Sequence, residues 1–566
     1  MNKFNFTKKR VLLISIFLGI FVIGTIFMFI TPFSVKRTYN LTTTTSDGVT
    51  ISFNVFEPVS GGNNKKAVIM GHGVLSNKET MNSYAIEVAA AGFVAITLDF
   101  RGHGQSTGPV SGGSLLNDII AIKQYLNSRG DIDINNLGYV GFSMGGIGQA
   151  LVNTDLDFKC FIGTATFLSN SSSLRRGNST NPLNILMVVG KFDELIELDE
   201  IKVPFAERIN KPVEDVNVHK LYGSFEMGNA SKIYYDDNTN HFISYWDTDF
   251  LREVKTWVIN SFPDVIQTDE NFYGHIRLII LVIQIIGGIG FFLSVIKPLS
   301  ELIVPKKEEE RDIHIIQTPD VTIKEFSLKT LAFSLVLGFP GIFIMLIINI
   351  PLGLALFGFL ISLFFGQAFA QFLYVWRVGK RQNLSFGSVL GKPFKGNRNE
   401  SLRHILLGII LATILVFILH FSIGMNYFSF VPSITKILWI PVYMLLFFFT
   451  FMIFGLVYQY TLQPKFDNSN RSIVKVTLLT YMLIMIYTFT YVLVLSLIIR
   501  SFFYFGFLIP IAAVVFLLAT LTWTVTYRSS GNIIAGSIIS CVYLSLLIGT
   551  AASLENMIEF IFNFIS

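Results

Sequence analysis

The chain has 566 residues, of which 52% are hydrophobic and only 14% charged, with a net charge of +5 and 55 Phe. A soluble globular protein carries about a quarter charged residues and a disordered one has low hydrophobicity, so both classes are excluded for the chain as a whole. The mean hydropathy of +0.57 is unevenly spread: residues from about 38 to 265 read as ordinary globular sequence, and most of the rest is runs of Leu, Ile, Phe and Val.

The first run, Val11 to Ile30, has no charge and is long enough to cross a hydrocarbon core of about 30 Å at 1.5 Å per residue. Lys8, Lys9 and Arg10 precede it, which predicts a cytoplasmic N-terminus with residue 31 onward outside. The run exceeds the apolar core of a cleaved signal peptide and no small-residue cleavage site follows, so residues 1–34 are expected to be an uncleaved signal anchor.

Residues 35–265 form the second expected unit, an extracytoplasmic domain in which short β-rich runs alternate with amphipathic stretches, as βαβ units around a mostly parallel sheet do. Thr43 to Phe56 predicts a hairpin turning at Asp47–Gly48. Strands are expected at Ala67–Met70, Phe93–Leu98, Leu137–Val140, Cys160–Thr166, Asn184–Val189 and Ile233–Tyr235. Helices are expected at Met81–Ala91, Leu115–Leu126, Gly146–Val152 and Ser244–Ile259.

Three pieces of this unit carry chemistry. Gly141-Phe-Ser143-Met-Gly145 fits a G-x-S-x-G elbow, and its place between a buried strand and a small-residue helix puts Ser143 on a sharp strand-to-helix turn. Gly71-His72-Gly73-Val74 follows another strand and can aim a backbone N–H at the same point, so the amides of Val74 and Met144 are the candidate oxyanion donors. Asp193 follows the strand at 184–189 and His241 the last strand, giving the order Ser, Asp, His with all three on loops at one edge of the sheet. Glu194, Asp236 and Asp237 are rival acids, and the position after the penultimate strand favours Asp193. His72 and His103 lie in glycine-rich turns and are read as loop-holding residues rather than a metal pair, and His219 as a surface residue. The two cysteines, Cys160 and Cys541, form no disulfide framework or metal cluster, and no metal or organic cofactor is expected.

Asp99-Phe-Arg-Gly-His-Gly-Gln-Ser106, with the His-Gly turn before it and Gly-Phe-Ser-Met-Gly-Gly after it, resembles the serine α/β-hydrolase superfamily, most closely its monoacylglycerol-lipase, serine-aminopeptidase-like and dienelactone-hydrolase-like branches. The resemblance covers about 50–260. It implies an α/β-hydrolase fold in which Ser143 is the nucleophile, His241 the general base and Asp193 its orienting acid. Relatives often carry a sizeable cap before the acid strand, whereas here only the Ser/Asn-rich stretch from Leu168 to Pro182 is available.

Residues 266–566 are expected to be an all-α transmembrane bundle, with spans near 278–296, 331–350, 352–375, 404–424, 437–459, 476–499, 505–526 and 532–552. The basic residues test this count. Lys306, Lys307, Arg377, Lys380, Arg381, Lys392, Lys395, Arg398, Lys465, Arg471, Lys475 and Arg528 fall in the predicted inner loops, while the outer loops carry little beyond Lys436 and Arg500. The C-terminus, with Glu555 and Glu559, then lies outside. The eight spans contain no Asp, Glu, Lys or Arg, which disfavours ion-coupled transport. A membrane reading explains the basic residues without nucleic acid. The preferred activity is hydrolysis of a carboxylic ester, small or lipid, at the surface of a cell membrane. A peptidase or amidase using the same triad, with Arg175–Arg176 as a clamp, and a non-catalytic receptor or transport component are the alternatives.

Overall fold

A computed structural model describes residues 8–110, 115–169, 175–304, 315–318, 320–381, 383–395, 397–467 and 469–555. Lys306, Lys307, Glu559 and part of the short stretch from Leu168 to Pro182 lie outside the described residues. After α1 (Lys8–Ile30), β1 (Val35–Thr44) and β2 (Thr50–Pro58) form the expected antiparallel hairpin, closed by the Thr45 N–H to Val49 carbonyl bond of 2.9 Å, with Gly48 at φ 83°. Then follow β3 (Lys65–Gly71), α2 (Asn82–Ala90), β4 (Val94–Leu98), α3 (Leu115–Arg129), β5 (Ile132–Phe142), α4 (Gln149–Thr154), β6 (Phe158–Thr164), β7 (Asn184–Phe192), α5 (Leu198–Ile209), β8 (Ser231–Asn240) and α6 (Thr248–Ser261). The sheet order is β1-β2-β4-β3-β5-β6-β7-β8, and every pair from β4–β3 through β7–β8 is parallel. This is the α/β-hydrolase fold that the sequence predicts.

The strands read as continuous apolar runs because both faces are covered. Alternation along β3 sends Ala67 and Ile69 to one core, with Ile119 and Ile122 of α3 and Phe205 of α5; Val68 and Met70 go to the other, with Tyr84 of α2 and Val254 and Trp257 of α6. Two details differ from expectation. The strand at 160–166 stops at Thr164 because Ala165 takes φ 47°, and the elbow helix opens with a 3-10 turn over Ser143–Gly148.

The remaining elements are α7 (Gly274–Ile303), α8 (Ile323–Asn349), α9 (Ala355–Lys380), the short α10 (Phe386–Leu390), α11 (Arg398–Leu419), the short α12 (Ile434–Ile437), α13 (Ile440–Val457), α14 (Asn470–Ile499), α15 (Phe503–Ser530) and α16 (Ile534–Ala551). Among the described residues nine helices, α1 included, are long and apolar enough to cross a membrane. α9, α13 and α16 are its most buried members, and α1 and α8 the least. Small residues let α1 and α7 approach closely, since a Cβ at Gly287 would lie 2.5 Å from the Phe21 nitrogen. The buried glutamines tie helices together. Gln284 Nε2 donates to Thr25 Oγ1 at 2.8 Å and to the Phe421 carbonyl at 2.9 Å, and Gln371 Nε2 donates to Tyr458 Oη at 2.7 Å.

The sheet-bearing part sits on the segment between α11 and α13. Asn82 Nδ2 donates to the Met425 carbonyl at 3.0 Å, the Ser429 N–H to Asn77 Oδ1 at 3.1 Å, and the Ser433 N–H to the Gly104 carbonyl at 3.0 Å. Lys436, on α12, is fully buried in this junction, where its Nζ donates to the Thr550 carbonyl at 3.3 Å. It lies between two long apolar helices, as the sequence predicts, and its burial is the new finding. Burial brings its ammonium down from 10.5 to about 7, with the charge of Asp99 opposing the shift. A depressed lysine costs the fold stability below its ordinary value, in full below about pH 7, and the cost fades as pH rises towards 10.5. Lys436→Met is therefore expected to raise the unfolding temperature in detergent more at pH 6 than at pH 9.5; an equal gain at both would refute this.

Candidate active site

β5 delivers the chain to Ser143, whose φ of 48° is a strained value for a residue with a side chain. Close packing forces this turn and explains its glycines. A Cβ at Gly141 would sit 2.5 Å from the Gly145 carbonyl oxygen, and one at Gly145 would overlap the Gly71 carbonyl. Two hydroxyls pin the turn: Tyr139 Oη donates to the Gly145 carbonyl and Thr166 Oγ1 to that of Ser143, each at 2.7 Å.

The three residues expected from separate loops meet here. Ser143 Oγ lies 3.0 Å from His241 Nε2, and His241 Nδ1 lies 2.9 Å from both carboxylate oxygens of Asp193. The Asp193 side chain is 1% exposed, and its Oδ1 also accepts the N–H groups of Leu195 and Ile196 at 2.9 Å. Two of the rival acids are elsewhere. Asp236 lies with Asp247 and Asp249, and Asp237 is exposed. Glu194 accepts the His241 backbone N–H and Asn240 Nδ2, both at 3.2 Å, and burial raises its carboxyl above the usual range.

Burial pushes the His72 imidazole down to about 4, so it is neutral near pH 7. Its Nε2 receives the Phe100 N–H at 3.1 Å, which leaves the ring proton on Nδ1 to donate to the Gly73 carbonyl at 2.7 Å. The Gly73 N–H in turn donates to Tyr245 Oη at 2.8 Å, and the Tyr245 ring stacks on Phe142 at 3.6 Å. This chain fixes the turn before Val74 against the elbow, and Val74 and Met144 both line the cavity at Ser143. His103 points its Nδ1 at the Arg101 carbonyl, 3.2 Å away, and its ring lies 5.2 Å from that of His72. His219 is exposed. Beneath these loops Asp99 accepts from the Lys78 N–H and Nζ and from the Gln105 N–H, at 2.7–2.9 Å.

The cavity at Ser143 measures about 440 Å³, within the range of small-molecule sites. Phe142, Met144, Phe167, Leu195, Ile196 and Phe242 supply apolar wall from the sheet side. Ile499, Ser501, Tyr504 and Phe507, from the junction of α14 and α15, supply the rest, and among the described residues no Asp, Glu, Lys or Arg lines it. Arg175 and Arg176 are elsewhere, donating to the Phe158 carbonyl at 2.8 Å and the Glu207 carbonyl at 3.0 Å. Sequence reasoning missed Thr166, Tyr245 and the four residues from α14–α15. Tyr245 lies four residues past His241, close to a residue the sequence singles out; the α14–α15 residues have no local signal at all.

The family model for serine aminopeptidase, S33, matches residues 62–217, a segment that includes Ser143 and Asp193 but not His241. No curated protein matches the sequence. Among solved structures, an esterase from Pyrococcus furiosus is 14% identical, with 42% of this chain and 96% of that chain covered and a TM-score of 0.32. An α/β serine hydrolase homologue from Coxiella burnetii is 16% identical, covering 39% of this chain and 96% of that chain at a TM-score of 0.30. A serine hydrolase without lid from Xanthomonas campestris is also 16% identical, covering 42% and 96% at 0.30. The sheet order and the elbow give this part of the chain the α/β-hydrolase fold, and the match over 62–217 makes it similar to the serine aminopeptidase, S33, family.

Proposed function

We propose that the protein is a membrane-anchored serine hydrolase that cleaves a carboxylic ester through an acyl-enzyme. The observation that carries this reading is the 3.0 Å approach of Ser143 Oγ to a histidine whose other nitrogen faces a buried carboxylate. His241 Nε2 takes the Ser143 proton as Oγ bonds to the ester carbon, and Asp193 holds the ring in the required tautomer and stabilises the imidazolium. The Val74 and Met144 amides receive the oxyanion. The carbon–oxygen bond to the alcohol then breaks and His241 returns the proton to the leaving alkoxide. Water, deprotonated by His241, attacks the acyl-serine; the acyl carbon–Oγ bond breaks, His241 returns the proton to Ser143 Oγ, and the carboxylic acid leaves. No step needs a cofactor.

The family match raises a peptidase reading, but a peptide terminus asks for a charged clamp, and the described lining has none. Esters are therefore preferred. α1 is read as a signal anchor, and the basic residues between the later apolar helices support a hydrolase on the outer side of the membrane. One experiment addresses activity and sidedness together. A membrane-impermeant fluorophosphonate applied to sealed cells is expected to label Ser143 and to leave Ser143→Ala unlabelled. Labelling that appears only after lysis would reverse the topology, and no labelling in either case would favour a non-catalytic role.

A further inference from the structure

Two helices of the bundle close the cavity at Ser143. α14 ends at Ile499, Arg500 turns the chain at φ 55°, and α15 begins at Phe503, so Ile499, Tyr504 and Phe507 face the cavity from one tight elbow. The elbow is docked on the histidine loop. Phe507 meets Phe242 edge to face with ring centroids 5.1 Å apart, and the Glu194 carboxylate rests on Gly506 so closely that any Cβ there would overlap it.

The apolar lining continues below the rim. Val492 and Thr488 lie on the Ile499 face of α14, and Leu508 and Ile511 follow Tyr504 and Phe507 by one turn on α15. With Ala512 and Val515 they border a seam of about 40 Å³ against α9 and α16. The seam shares no lining residue with the cavity and holds no chain of its own; it shows that the facing surfaces of these helices are apolar. From Tyr504 to Val515 the apolar surface runs roughly 16 Å along the helix axis, about half of a ~30 Å hydrocarbon core.

We propose that the α14–α15 elbow is the acyl-chain wall of the site, that Ile499, Tyr504 and Phe507 set chain-length specificity, and that the substrate is a long-chain acyl ester resident in the bilayer. This rests on the ester-hydrolase reading above. A tail along the elbow stays in apolar surroundings from the bilayer to the carbonyl carbon at Ser143. A short soluble ester leaves the same side chains in water. The stretch from Leu168 to Pro182 is too short for a large cap, and the elbow supplies cavity wall from the bundle instead, which gives the bundle a role beyond anchoring.

The test uses the full chain in phosphatidylcholine nanodiscs with 4-nitrophenyl palmitate and 4-nitrophenyl acetate, reading the ratio of their kcat/KM values. Stoichiometric fluorophosphonate labelling of Ser143 counts folded sites. The wild type is expected to prefer palmitate, and Phe507→Ala and Ile499→Ala to lower the palmitate-to-acetate ratio by about tenfold or more. Phe507→Leu, which keeps the helix surface apolar, is expected to move the ratio the same way and serves if alanine unsettles the bundle. A merely structural role would lower both esters together and leave the ratio unmoved. A ratio unchanged in all variants, or a wild type that prefers acetate, overturns the proposal while the ester reading stands. Failure of Ser143 to label or to turn over either ester overturns both.

Discussion

Ser143→Ala is expected to lower kcat by about a million-fold, as loss of a serine nucleophile does elsewhere, with the unfolding temperature little changed. The fold should tolerate it because the interactions that hold the elbow belong to other atoms: the Thr166 hydroxyl bonds the Ser143 backbone carbonyl, and Tyr139 bonds that of Gly145. Alanine meets the same strain at φ 48° as serine does, so no new backbone cost arises. His241→Ala should be about as damaging, and the double variant scarcely worse, because the two side chains act as one unit. Single-turnover kinetics on purified protein in nanodiscs would check this. Residual turnover within tenfold of the wild type would mean that another nucleophile does the work.

The parts of this molecule that were legible in the sequence are those governed by local pattern. β3 to β7 announced themselves as short apolar runs because a parallel sheet is covered on both faces, and the nine long helices because each must satisfy the same length. Ser143, Asp193 and His241 are legible because the elbow motif marks the serine and the topology puts the ends of β5, β7 and β8 at one edge. α5 was missed: Pro204 inside it argues against a helix, yet its Glu197–Glu200 capping box and the packing of Ile201 and Phe205 carry it through. The burial of Lys436 is not legible because nothing adjacent in sequence reveals that the Thr550 carbonyl will accept its hydrogen bond. The roof of the cavity was hidden for the same reason on a larger scale. Phe507 meets Phe242 across more than two hundred residues, and a phenylalanine in a long apolar helix looks like any other until its neighbour is known.

The identity of the acid makes the second large prediction. Asp193→Asn is expected to lower kcat by about 10⁴-fold while leaving the fold intact. The geometry fixes the direction of the amide. Oδ1 receives two backbone N–H groups, from Leu195 and Ile196, so the amide oxygen of Asn must take that position. Its NH₂ then points at His241 Nδ1, which must accept, and the ring proton moves to Nε2. A protonated Nε2 faces Ser143 Oγ across 3.0 Å and cannot take its proton. Glu194 is next in sequence but poorly placed to substitute, because its carboxylate is held by the His241 backbone N–H and Asn240, and α15 packs over it at Gly506. Glu194→Gln keeps those contacts for one oxygen and should therefore cost far less than Asp193→Asn. The pH–rate profile separates the two roles, since the wrong tautomer lowers the rate across the whole profile, whereas a loosened histidine loop also raises KM. Should Asp193→Asn retain a tenth or more of wild-type kcat, the wrong-tautomer account fails and Glu194 becomes the orienting acid.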